Sequence, residues 1–211
     1  MALMLHLLRH ALHDHPPDML CGRMAGVRLA AEGERQAACL GRRFPLGSLD
    51  ALLTSPVRRC RDTAAALERA CGLPAIVDPA ADEVDFGDWA GQRFPALQAD
   101  PRWTAWNLDR DHAAAPGGET THALRARVIA LLDGILGLHP QGHVAVMTHA
   151  EIVRTSVLHI LGLPMQAYDR LEVSPASITT LSLWMGGGRL LGLNDVSHIM
   201  APVPMREMES A

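Results

Sequence analysis

The chain alternates short apolar runs with longer segments in which apolar residues return every three or four positions. The first run, MLHLL at 4–8, stops abruptly on Arg9-His10, and its length predicts a buried strand. Good helix formers with helical apolar spacing predict a helix over 30–44, ending before Pro45. LDALLTS at 49–55 predicts a second buried strand. Ser55 and Pro56 suit the cap and first turn of a helix that runs to Gly72 and Pro74. AIVD at 75–78 predicts a short third strand.

Strand, helix, strand, helix, strand is the rhythm of an α/β protein with a mostly parallel central sheet flanked by helices. Between Glu83 and Glu119 the rhythm breaks. Gly and aromatic residues of DEVDFGDWAGQRF take turn-like positions, and the next stretch reads as short helical pieces interrupted by Pro101 before the loop APGGET. A stretch of this length inside an α/β unit predicts a short helical cap, an insertion over about 84–120. Thr120 or Thr121 then caps a helix to 137 whose apolar face repeats at Leu124, Val128, Leu131 and Leu132. HVAVMTH at 143–149 is the clearest strand, ending like the first on a histidine followed by alanine, and a helix to Gly162 follows it. Strands at 176–184 and 189–193, joined across Gly186-Gly187-Gly188, predict an antiparallel hairpin at a sheet edge. From Asn194 the tail reads as irregular.

Composition narrows the class. With 211 residues, 48% hydrophobic and 20% charged, the chain fits one domain over 1–211. A net charge of −4 supplies no basic excess for a nucleic-acid partner. No segment reads as a membrane span or a leader, so the expectation is a cytoplasmic enzyme with no membrane partner. Four cysteines, Cys21, Cys39, Cys60 and Cys71, form no CxxC pair and read as reduced thiols. Eleven histidines are many, yet no HExxH or paired Cys/His spacing appears, so no metal site is expected. His6, His13, His15, His112, His122 and His159 read as surface or packing residues.

The candidate chemistry lies where strands end. In open α/β sheets the carboxyl edge of the strands is where ligands bind. Arg9-His10 and His149 occupy such ends. Arg59 falls in the first turns of the helix after the second strand, where free N–H groups already favour an anion. A guanidinium forks onto two phosphoryl oxygens, which makes Arg9 and Arg59 anion clamps. Arg58 and Arg61 are excluded from the face of Arg59 by helical spacing.

LLRHA, CGR, SPVRRCRDTAA, EVDFGDWAG, PGGET with Arg127 downstream, VMTHAEIVR and LND occur in this order along most of the chain. In this combination the chain resembles the histidine phosphatase superfamily, the phosphoglycerate mutase-like group, with similarity to its α-ribazole phosphatases and broad-specificity phosphatases. The resemblance implies a phosphoglycerate mutase-like fold and metal-independent phosphoryl transfer through a phosphohistidine, with no cofactor. Residue by residue, it implies that His10 is the nucleophile and Glu83 the proton donor. Arg9, Arg59 and a protonated His149 hold the phosphoryl group. Gly22, Arg23 and the Ala150 N–H contact substrate. Ala11 departs from the glycine typical of the motif, and Leu12-His13 departs from the residues of many mutases, which favours hydrolysis over mutase transfer.

The physics of phosphoryl transfer asks for the same parts: an in-line nucleophile, positive charge on the equatorial oxygens and a proton for the leaving alkoxide. Neutral His10 needs its other ring N–H oriented by an acceptor, for which a backbone carbonyl of the following loop serves. Asp82, Asp85 and Asp88 are alternative acids, and Glu119 is read as structural. Trp89, Trp103 and Trp106 belong to the cap, mostly as packing. The expected partner is a small phosphorylated metabolite, with room left for a homodimer. The rival readings are a phosphoglycerate mutase, a phospho-ligand binding module without turnover, and a metallohydrolase for which no ligand spacing speaks.

Overall fold

The computed structural model describes residues 2–200. Its centre is a six-stranded sheet in the order β3-β2-β4-β1-β5-β6. The strands are β1 (Leu3–Arg9), β2 (Ala51–Thr54), β3 (Ala75–Val77), β4 (Gly142–Thr148), β5 (Ile178–Trp184) and β6 (Gly187–Asp195). β3, β2, β4 and β1 run parallel, while β5 and β6 are antiparallel additions at one edge.

Helices cover both faces, which is why β1 and β4 read as nearly continuous apolar runs. Leu3, Leu5 and Leu7 of β1 and Val144 and Val146 of β4 pack with α5 (Thr121–Leu138) and α6 (Ala150–Leu161). The alternate positions Leu8, Ala145 and Met147 pack with α1 (Ala31–Gly41) and α2 (Arg58–Cys71). The two-residue strand period thus feeds two separate cores from the same strands.

The expected helices and strands form, with instructive differences at their ends. Pro56 stands before α2 rather than in its first turn, and Val57 is the cap residue with no side-chain cap bond. Ser55 is drawn instead into the site described below. The hairpin turn is Met185-Gly186, with Gly186 at φ +81°, so Gly187 and Gly188 belong to β6. The tail includes a short helix, α7 (Ser197–Met200), beside α1. Residues 201–211 lie outside the described residues.

The insertion holds α3 (Phe94–Gln98) and α4 (Pro101–Leu108). Trp89, Trp103, Trp106 and Phe86 pack edge-on or stacked with ring centroids 5.2–5.9 Å apart, and this aromatic group is continuous with the core that β1 and β4 share with α5 and α6. Its end is tied down by Arg110, 3% exposed, whose guanidinium lies between the rings of Trp106 and Tyr168 and donates to Glu151 of α6 at 3.0 Å. Thr120 caps α5 by accepting from the Ala123 N–H.

Among the described residues all four cysteines are free and buried, and no helix is long and apolar enough to cross a membrane.

Candidate active site

Because β2, β4 and β1 are neighbours, their carboxyl ends bring three sequence-distant segments together. His10 follows β1, His149 follows β4 and Ser55 follows β2. Backbone bonds fasten them: the His10 N–H donates to Thr148 O at 2.9 Å and the Ser55 N–H to Met147 O at 2.9 Å. The His10 and His149 rings meet edge to face, centroids 5.2 Å apart.

His10 is 4% exposed. Its Nδ1 lies 2.9 Å from the Ala11 carbonyl, an acceptor only, so Nδ1 carries the proton and Nε2 keeps its lone pair. Burial, reinforced by His149, Arg59 and Arg9, pushes the His10 pKa well below its ordinary value and holds the ring neutral. The Ala11 methyl is accommodated: Ala11 is fully buried in the α1/α2 core and its N–H donates to Thr63 Oγ1 of α2 at 3.1 Å.

Arg59, the second residue of α2, is 2% exposed. Its Nη2 donates to Gly22 O at 2.7 Å and lies 3.1 Å from His149 Nδ1. Its Nε and Nη1 are buried with no protein partner, as is Nε of Arg9, whose Nη1 donates to Val173 O. Buried guanidinium N–H groups without acceptors are costly, and phosphoryl oxygens are the acceptors that suit them. Arg58, by contrast, points to solvent and pairs with Asp62.

His149 is fully buried. Burial pushes its pKa down, and Arg59 adds to this, while Glu83 and Asp82 oppose it. Arg59 donates to Nδ1, so with no phosphoryl group bound the ring is neutral.

Glu83 lies across the site from α2, Oε2 3.7 Å from His149 Nδ1. Arg23 Nε and Arg127 Nη2 donate to its carbonyl at 2.7 and 3.3 Å, and Arg127 Nη1 holds the carbonyls of Ala80 and Asp82. Glu119 joins the two arginines, accepting from Arg127 at 2.9 Å and from Arg23 at 3.3 Å. The expected substrate residue Arg23 is thus engaged in holding the acid-bearing loop. Gly87 and Gly118 explain two motifs at once, since a Cβ at Gly87 would stand 2.2 Å from Pro116 O and one at Gly118 2.3 Å from Asp85 O. FGDW and PGGET interlock through glycines that leave backbone room for each other.

Of the alternative acids, Asp82 turns behind His149, and Asp85 caps its own turn by accepting from the Gly87 N–H. His13 was read as a surface or packing residue, yet its ring centroid lies 5.6 Å from that of His10. Burial, then Arg59 and Arg9, lower its pKa to about 4. Its place three residues beyond His10, in the loop leaving the same strand end, is the signal that could have found it. Ala150 opens α6 directly after His149, so its N–H is among those at a helix start that have no partner within the helix. Among the described residues no group of three or more His, Cys, Asp or Glu side chains could hold a metal ion.

Comparison with known proteins places the chain in a family and a fold. The chain is 28% identical over 207 residues to a probable phosphoglycerate mutase GpmB of Salmonella choleraesuis, covering 95% of this chain and 96% of the relative. Among solved structures it superposes on a putative alpha-ribazole-5'-P phosphatase of Escherichia coli with a TM-score of 0.83 at 24% identity, covering 93% and 98% of the two chains. It also superposes on a mycobacterial glucosyl-3-phosphoglycerate phosphatase with a TM-score of 0.79 at 28% identity, covering 92% and 99%. The profile described as Histidine phosphatase superfamily (branch 1) matches residues 5–196, and the chain belongs to that superfamily.

Proposed function

We propose that the protein is a metal-independent phosphatase that hydrolyses a small-molecule phosphomonoester through a phosphohistidine on His10. The observation that carries this is the buried, neutral His10 with Nδ1–H fixed on Ala11 O, beside guanidinium groups that have N–H donors to spare. His10 Nε2 attacks phosphorus while the bond to the leaving oxygen breaks. Arg9, Arg59 and His149 surround the phosphoryl oxygens, whose charge they hold best in the transition state. Glu83 gives its proton to the leaving alkoxide, then takes one from the water that cleaves the phosphohistidine, releasing phosphate and restoring His10. Gly22 supports the site by holding Arg59 through its carbonyl, and the Ala150 N–H is a further donor to the phosphoryl group.

The 28%-identical glucosyl-3-phosphoglycerate phosphatase supports hydrolysis. The GpmB relative supports a second reading, mutase-type return of the phosphoryl group to the product. Incubation with a chromogenic phosphomonoester and a chelator, beside His10→Ala, tests the first reading. Chelator-resistant phosphate release that His10→Ala abolishes is expected. Equal release by both proteins would remove His10 from the mechanism, and loss on chelation would remove the metal-free claim. With 3-phosphoglycerate, an isomerised product without free phosphate would favour the mutase.

A further inference from the structure

Behind the phosphoryl site stands a second set of groups that the reaction outlined above does not use. His149 Nε2 lies 2.9 Å from Ser55 Oγ, and Ser55 Oγ donates to Asp82 Oδ1 at 2.9 Å. Ser55 is fully buried and Asp82 nearly so. A carboxylate only accepts, so the Ser55 proton is committed to Asp82 and its lone pair must receive an N–H from the ring. That places the His149 proton on Nε2 and leaves Nδ1, the atom facing Arg59 and Glu83, as a lone pair. Asp82 Oδ1 also accepts the Glu83 backbone N–H at 2.8 Å, so one oxygen ties the acid's backbone to the tautomer of the histidine.

Building on the phosphatase reading, we propose that Asp82, acting through the Ser55 hydroxyl, is a positioning residue that fixes the Nε2–H tautomer of His149 and supplies the countercharge when a bound phosphoryl group makes that ring cationic. A phosphomonoester monoanion brings the proton: its P–O–H proton passes to Nδ1, Nε2–H stays on Ser55, and Nδ1–H then donates to the same oxygen. Arg59 Nη2 gives up its hydrogen bond to Nδ1 and keeps the one to Gly22 O, and no other covalent bond changes. The groups facing His149 from every packed element are Arg59 and Cys60 of α2, His10 after β1, and Asp82 and Glu83 after β3, with Ser55 between. Of the two carboxyl groups, Glu83 is the acid of the reaction, and only Asp82 is bonded through a committed hydroxyl. Although burial opposes it, the nearby His149 ring and hydrogen bonds from the Glu83 backbone and Ser55 hold the Asp82 carboxyl below its ordinary pKa, so it is charged when the ring needs it.

Asp82→Asn removes the charge while the amide oxygen keeps both hydrogen bonds accepted by Oδ1; it also removes the ion pair of Oδ2 with Arg23 at 3.7 Å, which the His149 spectra read separately from activity. Histidine-labelled wild type, Asp82→Asn and Ser55→Ala are compared by two-bond proton–nitrogen spectra with and without inorganic phosphate, alongside pH profiles of kcat/KM. In wild type, His149 is expected as the Nε2–H tautomer, with a raised protonation midpoint once phosphate is added. Asp82→Asn is expected to move that midpoint at least one pH unit lower, to carry the alkaline limb of kcat/KM with it, and to cut kcat/KM at neutral pH about tenfold. Ser55→Ala is expected to lose the single tautomer. Unchanged tautomer and midpoint in both variants overturn the proposal, even where activity falls. If the spectra shift as expected but wild type releases no phosphate from any monoester, the phosphatase reading fails and the relay stands.

Discussion

β1 and β4 carry two histidine pairs, and only their surroundings separate them. His6 and His143 lie lower on the strands, rings stacked with centroids 5.6 Å apart and Nε2 of one 3.3 Å from Nδ1 of the other. His10 and His149 sit just past the ends of the same strands. The lower pair faces Phe44, Thr180 and the sheet itself, so its nitrogens bond to each other and to the Thr180 hydroxyl. The upper pair faces what only strand ends can gather: the start of α2 with Arg59, the loop with Gly22, and the acid-bearing loop with Asp82 and Glu83. His6 is half-buried and, like His10 and His149, lowered in pKa by burial, while its partner His143 is exposed. Reactivity follows from unspent guanidinium donors and an acid at the ring itself: Glu83 lies 3.7 Å from His149 Nδ1, whereas beside the lower pair Asp50 takes only the His143 backbone N–H.

The sharpest way to break this comparison is to remove one histidine from each pair. His10→Ala is expected to lower turnover of a chromogenic phosphomonoester by roughly 10⁴-fold or more, as loss of a nucleophile does. His6→Gln should leave kcat/KM unchanged. A large loss from His6→Gln would mean that the lower pair is coupled to the chemistry. Next in size is Arg59→Ala, expected to cost about 10²–10³ in kcat, the range for losing a preorganised charge-stabilising donor. Arg59→Lys should recover little, because a point charge cannot fork to Gly22 O, His149 and an oxyanion together. Steady-state kinetics with both variants checks this.

A smaller effect separates the pairs by stability. Burial, then the neighbouring His143, lowers the His6 pKa to about 4, and His13 is lowered to about 4 as well. Unfolded histidine titrates near 6.5, so between about pH 4 and 6.5 the unfolded chain binds more protons than the folded one. Stability should therefore rise with pH through that window and level off above it. Chemical denaturation at a series of pH values reads the slope. His6→Gln should flatten part of it without moving the pH profile of turnover, whereas a slope of opposite sign would contradict the buried neutral rings.

Much of this was legible in the sequence because strand ends are legible. The apolar runs stop at Arg9, Thr54 and Thr148, so His10, Arg59 and His149 could be placed on one edge once the strands were taken as neighbours. What escaped depended on partners far along the chain. Ser55 looks like a helix cap by its place before Pro56, but the neighbouring strand offers it His149, and a buried imidazole outcompetes a helix end. Asp82 was one acid among several, since nothing local shows that it turns behind His149 while Glu83 turns toward it. Arg110 gave only half a signal: Trp106 stands four residues before it, but the second ring, Tyr168, and its Glu151 partner come from segments about 40 to 60 residues away.

The central claim is that His10 becomes covalently phosphorylated, and Glu83→Gln is the background in which to see it. An aryl phosphate with a good leaving group needs little proton donation, so attack by His10 should proceed, while hydrolysis of the phosphohistidine lacks its base and slows by about 10²–10⁴. Rapid alkaline quenching followed by peptide mass analysis should find one phosphoryl group on the peptide containing His10, stable to base and lost in acid. Phosphate release by Glu83→Gln with no adduct, or an adduct on any other residue, would contradict the account.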